Sequence, residues 1–213
     1  MADQGPLTRR VTGLAGLGVA VLFGGGNALW AFDQPGGGAS AREVVAFYTD
    51  TSTRILIGAS LSLLAIALFV LFASGVRAIL REAEGDDLFA TAAFGGALLL
   101  VAAGLGAETI NMAGALRAED GQLTPDLARA LFEISYVLGY NGAGVGLGIL
   151  LLATAAVALR TRALLPRWLA LLFIVAGLAF MTPLARVLVA PSVLLLAVAS
   201  VQLLSLNPPI HHT

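Results

Sequence analysis

Residues 88–111, LFATAAFGGALLLVAAGLGAETIN, decide how the rest of the chain is read. From Leu88 to Ala107 the stretch is uncharged, and it then closes on Glu108 and Asn111, three residues apart. About 20 apolar residues let an α-helix cross a hydrocarbon core roughly 30 Å thick. The stretch therefore predicts a transmembrane helix that carries a carboxylate and an amide at one end, where lipid would be expected.

Similar runs lie on both sides of it. Val11–Phe32 and Arg54–Val76 precede it, and three more follow at 131–159, 167–181 and 183–206. Thr124-Pro125 offers an N-cap followed by a proline at the first helical position, so the helix carrying 131–159 is expected to start there and run unbroken. Thr182-Pro183 and Ala190-Pro191 favour breaks. A tight turn with Arg186 near its apex would separate the last two runs; a half-inserted pair of broken helices is the alternative. Together the runs predict an all-α fold, an integral membrane helical bundle of about six transmembrane helices forming one domain over residues 1–213.

Composition points the same way. The chain is 58% hydrophobic and 12% charged, whereas a soluble domain carries about 25% charged residues. All 12 basic residues are arginine; lysine is absent, and the only histidines are His211 and His212. Without lysine there is no Schiff-base chemistry with retinal or pyridoxal. Without cysteine there is no disulfide, iron–sulfur cluster or thiolate metal site. With no histidine in the apolar runs, an embedded haem lacks its usual axial ligand. No cofactor and no metal are expected. A net charge of −1 without a basic patch excludes nucleic acid as a partner.

Arginines in short loops set the orientation. Arg9, Arg10, Arg77, Arg81, Arg160, Arg162 and Arg167 fall on one side; Arg42, Arg54, Arg117, Arg129 and Arg186 fall on the other. Both termini are thus expected in the cytoplasm, in the inner (plasma) membrane of a cell, with the lipid bilayer as the first partner. Arg9-Arg10 and Ala39-Ser40-Ala41 resemble the flanks of a signal peptide. The first apolar run is longer than a signal peptide needs and is read as a retained helix. Ser40-Ala41-Arg42-Glu43 fits a capping box and predicts a short surface helix before Arg54.

The glycines of GYNGAGVGLG, residues 139–148, have the wrong spacing for a nucleotide loop and no strand before them. Gly142 with Gly146 and Gly144 with Gly148 give the small-xxx-small pattern of close helix packing in lipid.

Depth arithmetic isolates a polar layer. At 1.5 Å per residue, Asn27, Glu108, Asn111, Tyr140 and Asn141 come to about the same height in the outer half of the bundle. Glu133 and Tyr136 lie higher on the stripe of Tyr140, and Arg54 and Arg186 cap two other spans. An ionisable group within a span faces the bundle interior or a wet cavity, so these nine residues are the candidate ligand-binding set. Plainer readings exist for several of them. Tyr136, like Trp30 outside the set, suits an interfacial aromatic, Glu133 suits solvent, and Glu108 with Arg186 or Arg54 suits a structural ion pair.

The arginine-only basic set and the pattern RALLPRWLALLFIVAGLAF at 162–180 resemble the uncharacterised multi-pass membrane proteins of high-GC bacteria. That resemblance implies a helical membrane fold and carries no activity with it. Three functions compete. The first is a recess facing outward that binds or transports a small amphiphilic or anionic ligand. Six short helices are few for a transporter, so a homodimer or a membrane-protein partner is expected with it. The second is an accessory or structural subunit. The third is an intramembrane acid–base enzyme acting on a lipid or isoprenoid, with Glu108, Glu133 and Tyr140 as catalytic candidates. It is similar in outline to the small transmembrane terpene cyclases and shares no motif with them.

Overall fold

A computed structural model describes residues 5–36, 38–161, 165–182 and 189–205. It is all-helical among those residues. The helices are α1 (Gly5–Ala28), α2 (Ala41–Glu84), α3 (Leu88–Glu119), α4 (Pro125–Tyr136), α5 (Ala143–Thr161), α6 (Arg167–Phe180) and α7 (Val189–Ser205). A single 3₁₀ turn at Ala31–Asp33 follows α1, and a π-helical turn at Val137–Gly142 joins α4 to α5 without a break.

Four stretches are long and apolar enough to cross a membrane: Leu7–Ala28, Ala41–Glu84, Leu88–Glu119 and Pro125–Thr161. The two terminal helices are shorter. At 14 and 17 residues they reach about 21 and 26 Å, less than the roughly 30 Å of a hydrocarbon core. Pro183 and Arg186 lie outside the described residues, as does the turn expected between the last two spans. Pro191 does not break α7. It sits in the first turn, where the backbone N–H that proline lacks would have no helical partner.

The second helix differs from expectation. No separate surface helix precedes Arg54; α2 runs as one piece of 44 residues from Ala41 to Glu84, about 66 Å. The capping box is present: the Glu43 amide donates to Ser40 Oγ at 3.3 Å, and the Ser40 amide donates back to Glu43 Oε2 at 2.7 Å. Continuity follows from the sequence, since neither glycine nor proline occurs from Ala41 to Ile57. Val44, Phe47, Tyr48, Thr51 and Ile55 also form one buried stripe, so burial favours a single rod. The rod ends at Gly85, whose φ of 78° is a left-handed conformation costly for residues with a Cβ. In the turn that follows, the Leu88 amide donates to Asp86 Oδ1 at 2.9 Å, which holds the Asp86 carboxyl below its ordinary range.

The bundle is a ring. α1 packs on α2, α2 on α3, α3 on α5, α5 on α6, and α7 on α1. Leu195 and Ala199 of α7 lie against the Leu151–Phe173–Phe180 cluster of α5 and α6, which closes the circle. Glycines set the spacing. A Cβ on Gly26 would lie 2.6 Å from Gly58 O, one on Gly96 2.7 Å from Gly146 O, and one on Gly148 2.7 Å from Gly177 O. Three helix pairs therefore meet backbone to backbone, and Gly146 and Gly148 are used inside the bundle.

Beyond the ring, the start of α2, the end of α3 and α4 form a helical cap. Its core is Trp30, Val44, Phe47, Tyr48, Ile55, Ala115, Ala128 and Phe132. Thr124 accepts from the Leu127 amide and starts α4 with Pro125, as its sequence predicts. Gly114 lets α3 meet Tyr48: a Cβ there would come within 2.5 Å of the ring.

Candidate functional site

The ring surrounds a partly open cavity of about 260 Å³, close to the lower end of the roughly 300–1,000 Å³ usual for small-molecule sites. Residues from all seven α-helices line it, with Gly139 and Tyr140 from the π turn. Its two ends differ chemically. Towards the cap stand Asn27, Trp30, Gln34, Glu108, Asn111, Ser135, Tyr136 and Tyr140; away from it the wall is Phe69, Phe72, Val76, Leu80, Leu147, Leu150, Leu165 and Phe173, with Thr154 among them. The result is a narrow, mostly apolar pocket with one polar end.

Each helix delivers its polar group for a local reason. Asn27 lies in the last turn of α1 and donates through Nδ2 to Phe23 O at 2.9 Å and to Ser62 Oγ at 3.5 Å. Ser62 is fully buried on α2, and its hydroxyl lies beside the Glu108 carboxyl. Glu108 and Asn111 are one turn apart on α3 and each is 6% exposed. Asn111 Oδ1 accepts from the buried Tyr48 hydroxyl at 3.3 Å, which ties the cap to the pocket. Glu108 Oε2 is buried and has no hydrogen-bond partner among the described residues, and the same holds for Trp30 Nε1. Among the described residues no arginine forms a salt bridge with Glu108.

The π turn places the aromatic side of the pocket. Such turns insert one residue into an α-helix and recur at functional sites. Here the Tyr140 hydroxyl donates to Gln34 Oε1 at 3.0 Å, so the segment after α1 is held against α5. Tyr140 stacks near Tyr136 with ring centroids 4.5 Å apart, and Tyr136 meets Phe132 at 5.8 Å. Phe132 in turn meets Phe47 at 6.3 Å, and Phe47 meets Trp30 at 6.3 Å. A continuous aromatic chain thus runs from the cap into the polar end.

Of the nine residues expected from the sequence, Asn27, Glu108, Asn111, Tyr136 and Tyr140 come together in the cavity wall. Arg54 does not: its guanidinium binds Asp33 at 2.7 Å on the exposed surface. Glu133 also faces outward, paired with Arg129 at 2.7 Å. Glu133 does not share the cavity with Glu108, so the two carboxyls form no catalytic pair across it. Asn141 is exposed, and Arg186 lies outside the described residues. Depth counting gave these residues their height but not the side of the helix they face. Trp30, Gln34, Tyr48, Ser62 and Ser135 were missed. Tyr48 and Ser62 belong to the buried stripe of α2, a signal that is present in the sequence spacing.

Among the described residues no three His, Cys, Asp or Glu side chains gather as a metal site would need. No protein-family model, no curated protein and no solved structure matches the chain. The site's chemistry must therefore be read from its own groups: one buried carboxyl, three amides, two phenols, a serine hydroxyl and an indole above an apolar shaft.

Proposed function

We propose that this chain is a multi-pass protein of the inner (plasma) membrane, with both termini cytoplasmic, whose cavity binds a small amphiphile and serves its carriage or presentation. The reading is carried by Glu108, a carboxyl whose buried Oε2 has no partner among the described residues, at the polar end of a mostly apolar cavity. A buried polar atom without a partner costs about 1–3 kcal/mol. A ligand whose head bonds to it offsets that cost, while an apolar tail suits the wall formed by Phe69, Phe72, Leu147 and Leu150.

The anionic head entertained from the sequence finds no described arginine in the lining, since Arg54 is taken by Asp33. The binding reading is therefore narrowed to amphiphiles without a strong negative charge. The glycine faces that an accessory subunit would offer to a partner are occupied at Gly26, Gly58, Gly96, Gly146, Gly148 and Gly177 by contacts within the chain.

The test is extraction of lipid from gently purified protein, followed by mass spectrometry, with Gly104→Leu as the comparison. Gly104 lines the cavity, and a Cβ there meets only Ile66 Cδ1 at 3.5 Å, so leucine fills the shaft without a backbone clash. A discrete amphiphile bound to the wild type and lost in the variant is expected. The same lipid content in both proteins would reject the cavity as the site.

A further inference from the structure

Two orphaned atoms in the cavity wall are of opposite kind. Trp30 is 5% exposed and Glu108 6%. Among the described residues neither the indole Nε1 nor Glu108 Oε2 meets a hydrogen-bond partner. An indole N–H only donates, and a carboxylate oxygen accepts. Both residues line the same cavity, and α2 places them near each other. A Cβ on Gly58 would lie 2.8 Å from Trp30 Nε1. Ser62, beside the Glu108 carboxyl, is one turn further along the helix, a rise of about 6 Å.

We infer that this pair reads the ligand's head, and that the head is an uncharged hydroxyl on a long apolar chain. The inference rests on the amphiphile-binding reading above and adds the class of ligand. A hydroxyl accepts from Trp30 and donates to Glu108 with one small group. An ammonium has donors only and leaves the indole N–H orphaned, and its attraction to Glu108 is offset by desolvation of the charge in a mostly apolar pocket. A carboxylate or phosphate accepts from Trp30 but opposes Glu108, and no described arginine lines the cavity to receive it. An alkane leaves both atoms unpaired. Below the head, the α5 wall from Tyr140 to Thr154 runs roughly 20 Å at the helical rise per residue, and Leu147, Leu150 and Leu151 face the shaft along it. That length suits a chain of fatty-alcohol size.

The test uses the full chain, delipidated, carrying Trp168→Phe. The protein has 2 tryptophans, and Trp168 is 59% exposed on α6, so this change leaves Trp30 as the only tryptophan, excited selectively at the red edge of the absorption band. Hexadecanol, hexadecylamine, hexadecanoate and hexadecane are added in turn, at a pH where the acid is ionised. Binding is read by native mass spectrometry and by Trp30 emission. Hexadecanol is expected to bind as a single equivalent, about tenfold or more tighter than the other three, the margin of one net hydrogen bond. It should also move Trp30 emission to the red as the N–H gains an acceptor. Glu108→Leu and Trp30→Phe, read by mass, should each weaken hexadecanol about tenfold and leave hexadecane unchanged.

Tighter binding of the amine, the acid or the alkane, abolished by Gly104→Leu, would overturn the hydroxyl inference and leave amphiphile binding standing. Hexadecanol affinity unchanged in both Glu108→Leu and Trp30→Phe would overturn it equally. Failure of all four probes to bind would remove the amphiphile-binding reading itself.

Discussion

Replacing Glu108 by leucine is expected to stabilise the ligand-free protein, although it deletes a buried polar group. Glu108 Oε2 has no partner among the described residues of the wall, and an orphaned buried acceptor costs about 1–3 kcal/mol. The substitution relieves that cost and leaves a side chain of similar size. It also removes the carboxyl beside Ser62, worth about 1 kcal/mol, but Ser62 keeps its contact with Asn27 Nδ2 at 3.5 Å. The balance is a gain of about 1 kcal/mol, which raises Tm by about 2–4 °C for a chain of this length. Ligand closes the gap. At a hundred times its Kd a ligand adds about 2.7 kcal/mol to the wild type, and a tenfold weaker Kd leaves the variant only about 1.4 kcal/mol. Thermal unfolding of delipidated protein, with and without hexadecanol, measures both terms. A loss of about 3–5 kcal/mol in the ligand-free variant would refute the reasoning, because that is the signature of breaking a buried ion pair. It would mean that Glu108 docks helices through a cation, with Arg186 the residue to test next.

Three further outcomes are expected. Gly114→Ala should lower stability by about 1–3 kcal/mol, since its Cβ would come within 2.5 Å of the buried Tyr48 ring. Adding Tyr48→Leu should recover part of that loss, and a double-mutant cycle by thermal unfolding measures the coupling. Ser40→Ala removes the capping box of α2 and is expected to cost about 1 kcal/mol, with hydrogen exchange rising first at the amides of residues 41–44. Because the chain has no cysteine, single cysteines report topology cleanly. Positions 36 and 122 should react with an impermeant maleimide from outside intact cells, and positions 10 and 86 only after lysis; the reverse pattern would invert the proposed orientation.

Much of this fold is legible in the sequence because lipid leaves the backbone few choices. Apolar runs of about 20 residues can only be helices there, and the caps at Ser40 and Thr124 mark where α2 and α4 begin. Two features of the fold are harder to read. The surface stretch 41–53 and the span after it read as two elements, although the stripe from Val44 to Ile55 continues across Arg54. The π turn has no sequence signal: GYNG at 139–142 suits an ordinary helix, and only the packing of Tyr140 towards Gln34 distinguishes it. The candidate site divides in the same way. A residue count gives depth, which found Asn27, Glu108, Asn111 and Tyr140; it does not give azimuth, and so Arg54 and Glu133 were drawn in although they point outward to Asp33 and Arg129. Trp30 looked like an interfacial aromatic because nothing in its neighbourhood shows that Gly58 opens a slot for its ring.

The most direct test is an experimental density map of the protein purified from its native membrane without harsh delipidation. An elongated density is expected in the cavity, its head within hydrogen-bonding distance of Glu108 and Trp30 and its tail running between Phe69, Leu147 and Phe173. A cavity holding only ordered water, or closed by the side chain of Arg186 reaching Glu108, would contradict the account.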